Sequence, residues 1–305
     1  MQSDPLSDIL VLLEAHSLVT NGLQAGGDWA FSCPAPEGLK FVVVVEGHAW
    51  IRSAETEALR LAPGDVLLLN GFSPYVLASD PAIEPVDAAL IFQDSPDGIG
   101  RHGDTPDVLM LGGRVLLDRA RGDLLLDVLP PLVHVPAERG DAEVVRWLVA
   151  RLDAELARGR PGASLAATQF AQLIVIHIIR AHLEAGGAAV SGWLRALADR
   201  RLAPALDLMH REPAHGWRLD ELARAVGMSR TAFAVRFRSV TGMTPLAYLA
   251  RWRMHLADRA LRNGGRTVAD IGHMLGYASE SAFGAAFKRE MGVSPRASLK
   301  LSRAG

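Results

Sequence analysis

The stretch LARAVGMSRTAFAVRFRSVTGMTP, residues 222–245, is repeated in outline by IGHMLGYASESAFGAAFKREMGVSP, residues 271–295. Each copy has an apolar segment, a glycine, a serine, two phenylalanines four residues apart, and a second glycine before a proline. The landmarks before the turn recur at an offset of 49 residues, and those after it at an offset of 50. The extra residue of the second copy therefore lies in the turn, where an insertion disturbs the structure least. The pattern predicts two helix-turn-helix units.

Local signals in both copies agree with that prediction. Gly227 and Gly276 supply the backbone freedom that a short turn between helices requires. Ser229 and Ser279 are suitable N-caps for the helix that follows. Two phenylalanine pairs at the i,i+4 spacing hold the second helix against a core. These pairs are Phe233 with Phe237 and Phe283 with Phe287.

The segment between the copies, PLAYLARWRMHLADRALRN (245–263), has one apolar stripe and predicts a single long helix. Such a spacer fixes the distance between the two units. Two helix-turn-helix units on a rigid spacer can enter two successive major-groove segments, about 34 Å apart on one face of DNA. The repeat therefore indicates that one chain contacts two groove segments.

Charge is distributed unevenly along the 305 residues, although the formal net charge is only −2. Residues 199–305 carry 18 Lys and Arg against 9 Asp and Glu, whereas residues 1–198 carry 14 against 25. A basic part beside an acidic part indicates that the basic part binds a polyanion. Together with the repeat, this predicts that residues 199–305 bind double-stranded DNA.

The N-terminal half has a different pattern. Residues 29–120 contain short apolar or alternating segments separated by Pro, Gly and Asp, which predicts an antiparallel β-barrel or sandwich. The spacing then becomes helical at 143–159 and again at 164–186. The second of these helices is apolar nearly all round from Phe170 to Ile179. It is therefore buried either against the barrel or in a subunit interface, and the sequence favours neither alternative.

Residues 199–301 resemble the AraC/XylS-type DNA-binding domain through LARAVGMSRTAF, LARWRMHLADRAL and GYASESAFGAAFKREMGVSP. The N-terminal half, with FVVVVEGHAW and LRLAPGDVLLL, is similar to the cupin-type sensory domain of one branch of that family. The resemblance implies an α+β chain with three parts. These are a cupin-like antiparallel β-barrel sensory domain (1–136), a helical dimerisation segment (137–192) and a double helix-turn-helix DNA-binding domain (199–305).

The resemblance also implies a bacterial transcription regulator, usually an activator, that forms a homodimer and contacts RNA polymerase. The single cysteine, Cys33, excludes an internal disulfide framework and is typical of a cytoplasmic protein. No run of about 18 uninterrupted apolar residues predicts a membrane span. We therefore expect a cytoplasmic regulator with no membrane partner.

The second helix of each unit carries the predicted DNA contacts on the side opposite its phenylalanines. The predicted set is Arg230, Thr231, Ala234, Val235, Arg236 and Arg238 in the first copy and Glu280, Ser281, Gly284, Ala285, Lys288 and Arg289 in the second. Regulators of this family often have an arginine where this chain has Val235 and Ala285, so the bidentate contact of arginine with guanine is missing at both positions.

Two interpretations of this face remain open. In the first, Thr231, Ala234 and Val235 contact thymine methyl groups and give an A·T-leaning preference. In the second, sequence specificity is low, and the affinity comes from phosphate contacts by basic residues, namely Arg230, Arg236, Arg238, Arg253, Lys288 and Arg289. For the second copy, the small residues Gly284 and Ala285 predict a close backbone approach to DNA with little contact to base edges.

Cupin barrels often hold a metal through two histidines, a glutamate and a further histidine. Here Glu46 and His48 are the available ligands, and Tyr75 stands where another histidine is expected. One imidazole and one carboxylate are too few for a stable transition-metal site, so we expect no metal and no cofactor. A barrel without metal ligands is suited to a small-molecule effector, with Glu46, His48, Trp50 and Tyr75 as candidate lining residues.

Three hypotheses follow from these observations. The favoured one is a sequence-specific DNA-binding regulator controlled by a small molecule in the barrel. The second is a regulator without an effector, whose abundance alone sets occupancy. The third, from a different class, is a cupin-type enzyme, but no glycine-rich phosphate loop and no Ser/His/Asp set supports it. We therefore expect no enzymatic activity and assign no catalytic residues.

Overall fold

The computed structural model describes residues 4–12, 18–71, 73–93, 95, 98–116, 124–158, 160–186 and 190–302. The described chain forms two compact units. The first, called the sheet unit, lies within residues 14–190, and the second, called the helical unit, combines residues 191–305 with the N-terminal residues 1–13.

The sheet unit contains two β-sheets that enclose one core. Its strands are β1 (Leu18–Ala25), β2 (Ala30–Cys33), β3 (Leu39–Glu46), β4 (Ala49–Ser53), β5 (Leu59–Leu61), β6 (Val66–Leu69), β7 (Tyr75–Ala78), β8 (Val86–Asp87), β9 (Ile99–His102), β10 (Val108–Val115) and β11 (Leu132–Val135). The first sheet has the order β11-β6-β3-β10-β1-β9, and the second has the order β5-β4-β7-β2-β8. Alternate residues of both sheets, among them Phe31, Val44 and Ile51, meet in the core.

The predicted α+β class is confirmed. The strands form two open sheets rather than one closed barrel, and two pairs, β1 with β9 and β2 with β8, are parallel rather than antiparallel. Close strand packing depends on one glycine in particular. A Cβ on Gly112 of β10 would lie 2.2 Å from the carbonyl oxygen of Phe41 on β3, so only glycine fits there.

The sheet unit also contains the helices α2 (Ala89–Phe92), α3 (Gly140–Arg158) and α4 (Ala163–Ala185). Helix α4 contacts α3 as well as β11, β6 and β1. Ile174 and Ile178 are fully buried in this packing. Of the two alternatives for the apolar helix, the structure therefore supports cover of the sheet. Among the described helices, α4 alone is long and apolar enough to cross a membrane by length and composition.

The helical unit contains the repeat. Its helices after residue 190 are α5 (Gly192–Ala198), α6 (Ala203–Arg211), α7 (Leu219–Ala225), α8 (Arg230–Thr241), α9 (Pro245–Asn263), α10 (Val268–Met274), α11 (Glu280–Met291) and α12 (Pro295–Ser302). The two copies fold as the pairs α7–α8 and α10–α11, and α9 is the single long helix between them. Tyr248, Leu249 and Trp252 of α9 are buried in the unit's core.

The N-terminal helix α1 (Pro5–Leu12) packs on α6 and α9 of the helical unit. This placement differs from the predicted domain of residues 1–136, which put the segment in the barrel. The reason is its apolar face, since Ile9 and Leu6 are buried there. In addition, Oδ2 of Asp8 lies 3.1 Å from Nδ1 of His210, and Nε2 of His210 lies 2.7 Å from the hydroxyl of Tyr248.

Candidate DNA-binding face and ligand cleft

The first helix-turn-helix unit is held by its two predicted phenylalanines. Phe233 and Phe237 of α8 are fully buried, and their ring centroids lie 5.8 Å apart. Gly227 in the turn has a φ of +66°, which favours glycine. The side chain of Ser229 caps α8 by accepting a hydrogen bond from the backbone N–H of Ala232 at 3.2 Å. These contacts fix which side of α8 points outward.

The outward side of α8 carries the predicted DNA contacts of the first copy. Arg230, Thr231 and Arg238 are exposed, Ala234 is half-buried, and Val235 is 65% exposed. Arg236 has a different environment from the rest. Its Nε and Nη2 lie 2.9 Å and 2.7 Å from Oδ2 of Asp199, so this guanidinium ties α8 to the end of α5.

The second unit repeats the arrangement with closer helix packing. Phe283 and Phe287 of α11 are fully buried, and a Cβ on Gly272 of α10 would lie 3.1 Å from Phe283. Thr267 and Asp270 form a capping box at the start of α10. The side chain of Ser279 accepts a hydrogen bond from the backbone N–H of Ala282 at 3.2 Å. The predicted caps and core residues of this copy are therefore present.

The outward side of α11 contains small and charged residues. Ser281, Ala285, Lys288 and Arg289 are exposed, and Gly284 is half-buried. A Cβ on Gly284 would meet nothing within 4 Å, so packing inside the protein does not require a glycine at this position. Glu280 at the start of the helix is paired with Arg296, whose Nη2 lies 3.0 Å from Oε1 of Glu280.

Two arginines of the spacer helix α9 have partners within the unit. Nε of Arg253 donates to the carbonyl oxygen of Pro213 at 2.5 Å, and its Nη2 donates to that of His215 at 2.8 Å. Arg251 pairs with Glu290 of α11 at 3.3 Å. Arg253, which the phosphate-contact interpretation included, therefore anchors the loop before α7 in this structure.

The sheet unit contains a cleft of about 730 Å³, within the range of small-molecule sites. Tyr75 lines it and is almost fully buried, and burial raises the pKa of its hydroxyl well above the usual value. The other three candidate lining residues do not line this cleft. Glu46 and His48 are exposed beside the turn between β3 and β4, and Trp50 is half-buried on β4.

The polar residues that line the cleft and were not among the sequence candidates include Asn21, Lys40 and Arg114. No local motif marks them, because they come from three strands and meet only through the sheet register. Among the residues that the structure describes, no group of three His, Cys, Asp or Glu side chains could hold a metal ion.

Comparisons with known proteins cover nearly the whole chain. A cupin domain family matches residues 4–184, and a helix-turn-helix domain family matches residues 222–300. A protein of Streptomyces lividans named as an AraC-like transcription regulator is 43% identical over 293 residues, which cover 96% of this chain and 96% of that protein. The HTH-type transcriptional regulator AlkR of Acinetobacter baylyi is 29% identical over 277 residues, 88% of this chain and 90% of that protein. The crystal structure of ToxT from Vibrio cholerae aligns with 95% of this chain and 99% of its own at 14% identity and a TM-score of 0.37.

Proposed function

Because the chain belongs to the family of AraC-like DNA-binding transcription regulators, we propose that α8 contacts base edges and α11 contacts phosphates. We further propose that a small molecule bound in the sheet unit controls DNA binding. The observation that carries the first proposal is the outward side of α8, where Thr231 and the 65%-exposed Val235 lie opposite the buried phenylalanines. These side chains offer methyl groups to the methyl groups of thymine.

The test is a fluorescence-anisotropy titration of the full-length protein on the DNA upstream of its own gene, with a scrambled duplex as the control. Across about 50 to 300 mM salt, we expect a preference for the native duplex of about 10³-fold and a steep fall of affinity with salt. Equal, salt-sensitive binding to both duplexes would contradict base contact by α8. Absence of binding to either duplex at low salt would contradict the DNA-binding face as a whole.

The variant Val235→Arg should add a preference for guanine worth about 1–3 kcal/mol at one position of the site, because arginine can contact O6 and N7 of guanine together. Since Val235 is exposed, the free energy of unfolding should change by less than about 0.5 kcal/mol. Selection of binding sites from a random duplex library measures the preference. The control Val235→Ala adds no donor and should create no guanine preference. An unchanged selected sequence for Val235→Arg would mean that this side of α8 does not face the groove.

Helix α11 is proposed to contribute affinity with little sequence preference. Gly284 costs helix stability, about 0.5–1 kcal/mol relative to alanine, without any packing reason in the described chain. A close approach of the helix backbone to DNA would explain it. Lys288 and Arg289 are exposed beside it and suit phosphate contacts. In the same titration, Lys288→Gln should lower the affinity for the native and the scrambled duplex equally. It should also reduce the slope of log affinity against log salt concentration by about one.

A second copy of the chain is proposed as the partner of the sheet unit. Helices α3 and α4 leave five large apolar side chains exposed: Val144, Trp147, Leu156, Leu165 and Leu173. Trp147→Glu should therefore lower the mass measured by light scattering from that of a dimer to that of a monomer. The matched control is Leu90→Glu, which changes an exposed leucine of α2 in the same unit. If Trp147→Glu kept the mass of a dimer, the interface would not include Trp147.

The remaining parts of the proposal concern the cellular role. We propose a cytoplasmic activator that contacts RNA polymerase and has no enzymatic activity, because its relatives are named as transcription regulators. Deletion of the gene should lower transcription from the bound promoter. A rise in transcription would instead identify a repressor.

A further inference from the structure

Two cations face each other across a strand pair in the sheet unit. In the register of β3 with β10, Lys40 is the direct partner of Arg114. Directly opposed residues project from the same face of a sheet, and like charges in that position are destabilising. Both side chains line the cleft of about 730 Å³. Within the part of the chain that the structure describes, neither makes an ion pair or hydrogen bond, although the Lys40 ammonium lies 5.5 Å from the ring centroid of Tyr75.

The surroundings of this pair do not neutralise it. Burial lowers the pKa of Lys40, and the charge of Arg114 lowers it as well, whereas a Cys33 thiolate would raise it. The carboxylate among the described lining residues of the cleft is Asp87, which is exposed and accepts a hydrogen bond from the backbone N–H of Ala89 at 2.9 Å. The pair therefore costs stability in the ligand-free protein, and an anion between the two cations would remove that cost.

The neighbouring groups complete an amphiphilic site. Asn21 on β1 lines the cleft, and its amide makes no hydrogen bond in the described chain, so it is available to a ligand. Lys40 and Asn21 also line a smaller recess of about 40 Å³ that continues inward. Phe31, Leu77 and Met110 form part of its apolar wall. Charged and amide groups thus stand at the outer end, and an apolar space of limited size lies at the inner end.

We propose that this cleft binds a small organic carboxylate, with the carboxylate between Lys40 and Arg114 and a short apolar chain directed at Phe31 and Met110. Arginine and a carboxylate form paired hydrogen bonds, and lysine adds a point charge. A doubly charged phosphate has no apolar portion to fill the recess, so it fits less well. The inference deepens the proposed effector control and rests on it, because it names the class of effector.

The first test needs no knowledge of the natural ligand. Lys40→Met or Arg114→Met in the full-length protein should raise the melting temperature of the ligand-free sheet unit by about 2–4 °C, because either change removes an uncompensated cation from the pair. The matched control is Lys288→Met on α11, an exposed lysine, which should leave the melting temperature unchanged. A melting temperature for both cleft variants that is equal to or below that of the wild type would overturn the electrostatic argument.

The second test uses hexanoate as the probe, with hexanamide and inorganic phosphate for comparison, in calorimetric titrations of the full-length protein. Hexanoate should bind saturably, and Lys40→Met and Arg114→Met should each weaken it about tenfold or more. Hexanamide has nearly the same shape without charge and should bind at least about tenfold more weakly. Equal binding of hexanoate and hexanamide, or tighter binding of phosphate than of hexanoate, would overturn the assignment to a carboxylate. Unchanged hexanoate affinity in both variants would do so too.

The effect on DNA is measured separately, by anisotropy with and without hexanoate. A shift of DNA affinity that is lost in Lys40→Met supports both the carboxylate site and the proposed control. Hexanoate binding that depends on Lys40 but leaves DNA affinity unchanged supports the carboxylate site and contradicts effector control. The two proposals therefore fail in different measurements.

Discussion

Replacing Phe237 by alanine is expected to lower the free energy of unfolding of the helical unit by about 3–5 kcal/mol and to abolish specific DNA binding. Phe237 is fully buried, and its ring centroid lies 5.8 Å from that of Phe233 and 6.0 Å from that of Tyr248 on α9. The variant would leave a cavity where α8 is fixed to the spacer helix. Denaturant unfolding followed by circular dichroism measures the stability, and anisotropy measures the binding.

Two control variants distinguish a loss of stability from a loss of DNA contacts. Val235→Ala lies on the same helix but on its exposed side, so it should change stability by less than about 0.5 kcal/mol while weakening any A·T preference. Phe287→Ala is the equivalent change in the second copy and should cost a similar amount of stability. If Phe237→Ala kept both its stability and its specific binding, α8 would not be the base-contacting helix.

The helical unit could be predicted from the sequence because its determinants are local. Apolar residues three and four positions apart define each helix, and the glycine turn and serine cap lie within a few residues of each other. The caps Ser229 and Ser279 are found where those signals predicted them. Such features depend on residues that are already close along the chain.

For the sheet unit, the sequence predicts the fold class but not the pairing of the strands. Period-2 patterns identify strands but not which strands pair, so the opposition of Lys40 and Arg114, 74 positions apart, becomes visible only in the register. Glu46 and His48 resembled ligand residues by position, yet they flank Gly47, whose φ of +75° turns the chain outward between β3 and β4. Arg236 likewise suited a phosphate contact by its position in the sequence, but in the structure it pairs with Asp199.

The position of α1 in the helical unit could not be predicted from the sequence either. The contact of Asp8 with His210 joins residues that are 202 positions apart. His210 is buried between Asp8 of α1 and Tyr248 of α9, and its ring stacks on Trp252 with centroids 4.0 Å apart. Burial lowers the pKa of His210 below the usual value of 6.5, although the hydrogen bond with Asp8 opposes that shift. The imidazole is therefore neutral in the folded protein at neutral pH.

This burial makes the stability of the helical unit depend on pH in a definite direction. Because the pKa of His210 is lower in the folded than in the unfolded chain, the unfolded chain binds more protons near and below pH 6.5. The contribution of His210 is fully present above about pH 6.5 and is lost as the pH falls through the folded value. The loss cannot be steeper than about 1.4 kcal/mol per pH unit for one group. The acidic groups that face His210 are Asp8, Asp207 and Asp4.

The variant His210→Gln isolates this contribution from the other nine histidines of the chain. Glutamine can still donate a hydrogen bond to Asp8 but does not titrate. The free energy of unfolding of the variant should therefore fall less than that of the wild type between about pH 7.5 and pH 5. Denaturant unfolding at each pH gives both curves, and their difference should grow steadily as the pH falls. His215→Gln is the matched control for the loss of a histidine, because His215 is an exposed histidine of the same unit. Parallel curves for the wild type and His210→Gln would mean that His210 takes up a proton equally in both states, and that the contact of α1 with α6 does not depend on a neutral imidazole.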